Sequence, residues 1–400
     1  MIQYKKLKNI KILAGDDKTY NNACLPFENQ SLNFFNELSN KINNYKHIEK
    51  YPDLSSAAFF CRKANLINFK NKYLDNNQIR IGRGLVFHIA PSNAPTNFLY
   101  SLIFGLLTGN SNIIKISSKN YDQVKIICTL INELLKNKYK NLNKFIKIIQ
   151  YDNSQEKVTK EISQMSDARI IWGGDKTVEK IKKFEIKPNA VDISFADRYS
   201  ICVINSKKFL SLSLEEKKLL VDKFYNDTFT LDQNGCSSPH LILWYGANLK
   251  KVKEKFWSLL ANVVKKRYNL IESAAVNKYM LLCKSLMQNN NIKDLKIYNN
   301  SLYTLSIKKL QNDITNYRGQ WGYFYQYQIK NLKELKKIDT KKIQTLTYFG
   351  FKQPELKKII LNYQLKGIDR IIPIGQALDL DFIWDGYDIY SFLTRTIDIK

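Results

Sequence analysis

Metal-binding spacings are missing from this chain. Its six cysteines (Cys24, Cys61, Cys128, Cys202, Cys236, Cys283) form no CxxC pair, and its three histidines (His47, His88, His240) form no HxxxH or HExxH pattern. That excludes a zinc ribbon and makes a protein-held metal unexpected. Cysteines so scattered in 400 residues also give no disulfide framework. Long apolar runs are missing too. The longest, FLYSLIFGLL at 98–107, spans ten residues, about half of what a bilayer crossing needs. The N-terminal MIQYKKLKNIKILAGDDK is basic but has no uninterrupted apolar core, so a secretory leader is not expected and a cytoplasmic protein is. Pro- or Ser-rich linkers, repeats and the GxGxxG fingerprint are absent as well.

Acidic residues are scarce, 36 against 63 basic ones, for a net charge of +27. A field of that sign suits nucleic acid or an anionic surface. The lysines, however, are spread over helix faces (KNKYKNLNKFIK, KKVKEKF, KNLKELKKIDTKK), and no nucleic-acid motif accompanies them. A solvated lysine face needs no partner, so nucleic-acid binding is not expected. What remains is 44% hydrophobic and 25% charged, a globular composition long enough for two domains and a small accessory element.

Residues 1–80 read as mixed structure, with helices near 28–45 and 53–71. Beyond them strands and helices alternate. RGLVFHIA (83–90), NIIKISS (112–118), KFIKIIQY (144–151) and ARIIWGG (168–174) are short apolar runs of the kind buried on both faces. Between them, 96–109, 121–137 and EKVTKEISQ read as helices, the first closed by Gly109–Asn110. DKTVEKIKKF (175–184) follows as a helix with Asp175 as its N-cap. The alternation predicts a doubly wound parallel sheet over residues 80–205, with its ligand beyond the carboxyl ends of the strands. PSN (Pro91, Ser92, Asn93), ISS (Ser117, Ser118) and GGD (Gly173, Gly174, Asp175) fall at those ends. A second unit opens near 206, where Ser213 and Glu216 stand at capping-box spacing. It continues through the strand LILWY and helices at 247–266 and 271–288, and its tail, 340–400, mixes short strands with turns.

Four loop-end motifs carry the chemistry. In HIAPSNAPTNF, Asn93 could offer its carboxamide to a developing oxyanion, or be a simple turn residue. In NIIKISS, an ammonium (Lys115) and two hydroxyls (Ser117, Ser118) suit the ribose and phosphate of a dinucleotide, although such residues are common at strand ends. In IIWGGDKTV, Gly173 and Gly174 let a ligand approach backbone at a helix start, or form a plain turn. In LDQNGCSSPH, Gly235 allows a tight turn in which the Cys236 amide could face a carbonyl bound to the sulfur. Cysteines more often pack than react, but Cys128 and Cys202 sit in apolar strings (KIICTLI, SICVIN) and Cys236 sits among polar residues. His240, four residues on, opens an apolar strand and is no clear base. A thiolate attacking an already activated acyl group fits better than a papain-like protease.

The order of these motifs resembles the aldehyde dehydrogenase superfamily, and within it the LuxC-type acyl-CoA reductases. The resemblance runs from about residue 80 to the end. It rests on HIAPSNAPTNFLYSLIFGLLTGNSNIIKISS, IIWGGDKTVEKI, VDISFADRYS, NDTFTLDQNGCSSPH and DRIIPIGQALDLDFIWDGYDIYSFLTR. It implies an α/β fold with a Rossmann-like cofactor domain and a second α/β catalytic domain. The expected divisions are a packing region at 1–80, a dinucleotide-binding domain at 81–205, a cysteine domain at 206–345 and a completing segment at 346–400. It also implies Cys236 as nucleophile and Asn93 as oxyanion donor. Pro91, Ser92, Lys115, Ser117, Ser118, Gly173, Gly174 and Asp175 then form the cofactor side, with NADPH expected over NADH because of Lys115. VDISF puts Asp192 where a water-activating glutamate stands in hydrolytic relatives. The activity implied is reduction of an acyl-CoA or acyl-protein thioester to the aldehyde. A CoA-acylating dehydrogenase working in the oxidising direction, or a silent basic scaffold of the same fold, are the alternatives. An acyl-activating synthetase partner and a homo-oligomer are also implied.

Overall fold

A computed structural model describes residues 10–18, 20–75 and 77–400. The first half of the basic N-terminal stretch weighed above as a leader, residues 1–9, lies outside them. The chain forms two compact units. One runs to Asp197 and takes in Asp381–Lys400, and the other is Arg198–Leu380.

The first unit begins with β1 (Lys11–Gly15), α1 (Asn29–Asn43), α2 (Pro52–Phe60) and α3 (Lys63–Tyr73). The single helix anticipated at 53–71 is thus two. Asn36 accepts from the Lys63 amide (3.0 Å) and Asn65 donates to the Phe59 carbonyl (2.7 Å), so side chains satisfy the backbone at the break. Then come β2 (Ile79–Gly82), β3 (Leu85–Ile89), α4 (Asn97–Leu107), β4 (Ser111–Ile116), α5 (Asp122–Lys136), β5 (Ile146–Gln150), α6 (Glu156–Met165), β6 (Ala168–Trp172), α7 (Asp175–Lys182) and β7 (Val191–Phe195).

Every residue of β3, β4 and β6 is buried, which is why these strands read as unbroken apolar runs rather than alternations. The sheet order is β1-β5-β4-β3-β6-β7, parallel except for β1. The chain winds outward from β3 through β4 to β5, returns to the other side of β3 for β6, and continues to β7. The reversal lies between β3 and β6, and a crevice forms where loops leave such strands in opposite directions. On one face α4 packs so closely that a Cβ at Gly105 would fall 1.8 Å from the Asn112 side-chain oxygen. His88 sits there with Nδ1 2.7 Å from Ser101 Oγ and Nε2 2.9 Å from Asn112 Oδ1, and Trp172 donates to the same serine (3.1 Å).

The second unit runs β8 (Tyr199–Asn205), α8 (Ser206–Ser211), α9 (Leu214–Phe229), β9 (Pro239–Tyr245), α10 (Leu249–Arg267), α11 (Glu272–Gln288), β10 (Ile292–Asn299), β11 (Leu302–Ile307), β12 (Tyr323–Ile329), β13 (Ile343–Phe349), α12 (Gln353–Tyr363) and β14 (Arg370–Pro373). Its sheet order is β10-β11-β12-β9-β8-β13-β14. The capping box is present, Ser213 Oγ accepting from the Glu216 amide and the Glu216 carboxylate from the Ser213 amide. One face of the sheet packs Tyr199, Ile201, Leu241 and Leu243 under the 310–360 region, and the other packs Cys202, Ile204, Ile242 and Trp244 against α9 and α10. β8, which the sequence alone attached to the first sheet, is a central strand of this one. The final residues return to the first unit as β15 (Ile383–Trp384), β16 (Tyr387–Asp388), α13 (Ile389–Leu393) and β17 (Thr394–Ile397), which pairs with β2. Phe382 anchors that return against Phe27, Phe69 and Phe104. Among the described residues no helix is long and apolar enough to cross a membrane.

Candidate active site

In the first unit the sequence-predicted residues gather at the carboxyl edge of the sheet. Pro91, Ser92 and Asn93 form the turn between β3 and α4. The Ala90 amide bonds to the Lys115 carbonyl (2.9 Å), and the Tyr121 hydroxyl donates to the Ser92 carbonyl (2.7 Å). Asn93 is exposed, and its carboxamide has no partner among the described residues. Gly173 and Gly174 leave β6 on the other side of the reversal point. A Cβ at Gly174 would meet nothing within 4 Å, so open space lies in front of its backbone. Gly174, not Asp175, is the N-cap of α7; the Asp175 carboxylate instead accepts from the Asp197 amide (3.1 Å) and ties α7 to the end of β7.

Lys115 is more committed than its sequence position suggests. It is buried, its ammonium donates to Asn153 Oδ1, and it lies 5.4 Å from the Tyr151 ring centre. Burial pushes its pKa below the ordinary lysine value, opposed by the nearby Asp152 carboxylate. Ser117 is half-buried and Ser118 exposed, one residue apart on the same loop. The exposed hydroxyl, the open backbone at Gly174 and the turn at 91–93 all lie at the carboxyl edge of the sheet, on both sides of its reversal point, where ligands of such sheets bind.

Asp192 belongs to β7 and faces Arg169 of β6. The guanidinium is fully buried and grips the carboxylate twice, Nε to Oδ1 at 3.1 Å and Nη2 to Oδ2 at 2.6 Å. Its remaining nitrogen donates to Ser163 Oγ (3.1 Å) and the Phe184 carbonyl (2.9 Å). A carboxylate so held is a tie between strands and α6, not a base free to take a proton from water.

In the second unit Cys236 sits in the turn between α9 and β9, half-buried. The turn is held from several sides. Gln233 is fully buried and its side chain makes four bonds: Nε2 to the Pro239 and Tyr323 carbonyls (3.1 Å each), Oε1 from the Gly322 (3.2 Å) and Tyr323 (3.0 Å) amides. Asp232 and Gln233 both adopt positive φ (53° and 62°). Such strain costs on the order of 1–3 kcal/mol per residue and persists only where the surroundings dictate it. Here the Trp321 amide fixes the Asp232 carbonyl (3.1 Å), and Gln320 donates to Asn234 Oδ1 (2.6 Å). The sequence showed Gln233 only as part of a polar turn; its role depends on the distant 319–323 segment, which no local pattern announces.

Of the other thiols, Cys24 and Cys283 are half-buried like Cys236, and the remaining three are buried. Cys128 and Cys202 are buried, and burial pushes each up to about 12; Cys61, also buried, is pushed higher still. His240 is buried and stacked on Tyr199 (5.2 Å between ring centres). Burial, aided by the Arg318 charge, drives it down to about 3, so it is a neutral packing group at physiological pH. His88 is likewise buried and pushed down to about 4. Elsewhere in this unit a 770 Å³ cavity between the end of α11 and β12 is lined by Lys284, Lys308, Lys309, Arg318 and amide side chains, and none of the predicted site residues lines it.

Solved structures supply the class. An NAD-dependent benzaldehyde dehydrogenase from Corynebacterium glutamicum superposes with a TM-score of 0.64, covering 93% of this chain and 85% of that one at 11% identity. Aldehyde dehydrogenase 21 from Physcomitrella patens, in complex with succinate, gives 0.65 over 92% and 85%, also at 11% identity. The fold is that of the aldehyde dehydrogenases. Within that class, residues 61–395 match the model of the acyl-CoA reductase (LuxC) family, and the chain belongs to it. A long-chain acyl-protein thioester reductase from Aliivibrio fischeri is 24% identical over 169 residues, which are 42% of this chain and 33% of that protein. The match therefore spans about a third of that relative's length.

Proposed function

We propose that this protein reduces an acyl thioester, acyl-CoA or acyl-protein, to the aldehyde through an S-acyl intermediate on Cys236. The observation that carries this reading is the over-determined turn at 232–238. It presents a half-buried cysteine three residues after the strained Asp232–Gln233 pair, in a chain whose buried thiols are pushed far from ionisation. Family membership supports the substrate class, since the Aliivibrio fischeri relative is a reductase of acyl-protein thioesters.

The Cys236 thiolate attacks the carbonyl carbon and the donor's sulfur leaves as a thiolate, leaving the acyl group on Sγ. Asn93 serves as oxyanion donor, the role its motif position matches. A nicotinamide dinucleotide, NADPH in this reading, supplies hydride when bound. The resulting thiohemiacetal oxyanion expels Cys236 thiolate and releases the aldehyde. The first unit is the cofactor-binding domain in this scheme. Pro91, Ser92, Gly173, Gly174 and Asp175 would border the dinucleotide, and Lys115, Ser117 and Ser118 would hold its adenosine end, where a 2′-phosphate would draw the Lys115 ammonium. The Arg169–Asp192 pair argues against hydrolysis of the S-acyl enzyme, because the carboxylate is held by the guanidinium rather than free to activate water. A homo-oligomer working with an acyl-activating synthetase, in the cytoplasm, completes the proposal.

Purified protein supplied with a long-chain acyl-CoA and NADPH should oxidise the cofactor, and Cys236→Ala should reduce the rate by at least about a thousandfold. Undiminished oxidation in that variant would remove Cys236 from the reaction.

A further inference from the structure

We propose that Gln344 is the hydrogen-bond donor that stabilises the Cys236 thiolate; the inference rests on Cys236 being the nucleophile. Gln344 is the second residue of β13 and is fully buried, an unusual position for a carboxamide in a strand. Its Nε2 lies 3.6 Å from Cys236 Sγ, hydrogen-bond length for an acceptor as large as sulfur.

Two irregularities in the sheet produce this aim. Ile343 pairs with Tyr199 and Leu346 with Ile201, so Gln344 and Thr345 together stand opposite Ser200 alone. On the other side of β8, Ser200 pairs with Pro239 and Ile201 with Leu241, leaving His240 as the extra residue. Bulges of this kind re-aim a side chain that regular pairing would bury in one face. Ser200 joins the two: its hydroxyl donates to the Cys236 carbonyl (2.7 Å) and accepts from the Thr345 amide (3.3 Å). The Thr345 hydroxyl donates to Gln344 Oε1 (3.3 Å), which fixes the carboxamide with its nitrogen toward the sulfur. Sulfur, carbonyl, Ser200, Thr345 and Gln344 thus form a closed circuit around the thiol.

An N–H donor favours the charged form of its acceptor, so Gln344 makes the thiolate easier to form. Titratable and charged groups stand on every surrounding element, and each is engaged. Asp232 accepts from the Tyr268 hydroxyl, Asp227 of α9 from the Gly375 and Ala377 amides, and Arg198 pairs with Asp369. His240 of β9 is stacked on Tyr199, Arg318 donates to the Arg198 carbonyl, and Lys342 precedes β13. A change confined to Gln344 leaves all of them in place.

The test is the pH dependence of iodoacetamide alkylation at Cys236, followed by peptide mapping, in the full-length protein. Gln344→Met removes the donor at similar volume, and Gln344→Glu replaces it with oxygen. The expected result is a half-titration point raised by about half to one pH unit in Gln344→Met, a three- to tenfold change in ionisation, and further in Gln344→Glu. A midpoint equal to wild type in either variant that keeps the wild-type melting temperature overturns the proposal. The measurement needs no turnover, so it fails or succeeds separately from Cys236→Ala: an active Cys236→Ala enzyme would defeat the functional reading while leaving the donor assignment standing.

Discussion

Cys236 and Cys202 stand 34 residues apart, on a turn and on a central strand, and that difference sets their chemistry. Cys202 is fully buried in an apolar cluster beside the Thr347 hydroxyl, and burial raises its pKa, whereas Cys236 is surrounded by groups that hold backbone and sulfur in place. Asp192 shows the converse, a residue whose sequence position suggests chemistry and whose contacts give it structure. Removing its charge leaves Arg169 buried and unpaired, so Asp192→Asn should destabilise the first unit by about 3 kcal/mol, the low end for breaking a buried pair because Asp192 keeps some contact with water. Denaturant unfolding measures this. Turnover per folded molecule should stay within about twofold of wild type; a selective loss of turnover with stability intact would restore a catalytic role for Asp192.

At the scale of elements, the second unit's ends are joined through Asp227. This residue of α9 is buried and accepts from the Gly375 (2.6 Å) and Ala377 (2.9 Å) amides of the turn after β14. Burial outweighs those bonds and pushes its carboxyl up to about 7. A folded-state pKa above the unfolded value of roughly 4 means that the folded protein holds the proton more tightly. Its contribution to stability is therefore full below about pH 4 and lost as pH rises through about 7. The melting temperature of wild type relative to Asp227→Asn should fall between pH 5.5 and pH 8. His240, with its depressed pKa, has the opposite slope in both proteins and cancels in the difference. A pH-independent difference would show that Asp227 is ionised throughout.

At the scale of the whole molecule, the first sheet was legible because its central strands β3, β4 and β6 are buried on both faces and α4 is followed by Gly109 (φ +80°). The second was less so. β10 is exposed or half-buried throughout, and the mostly buried β11 and β12 carry Tyr, Thr, Ser and Gln among their apolar residues, so no apolar run marks them. β8 and β13 are neighbours separated by some 140 residues, and residues 381–400 leave the second unit for the first. Cys236, Asn93 and the glycines were visible as residue types at loop ends. Gln233 and Gln344 were not, because their meaning depends on a distant turn and on strand register rather than on neighbours in sequence.

The central claim is the covalent step, and intact-protein mass spectrometry tests it without reduction. Protein mixed with a saturated long-chain acyl-CoA and no nicotinamide should gain one acyl mass, mapped by peptide digestion to Cys236 and discharged on adding NADPH. An unmodified protein that nonetheless reduces the same acyl-CoA when NADPH is present, or an acyl group found stably on another cysteine, would contradict the account.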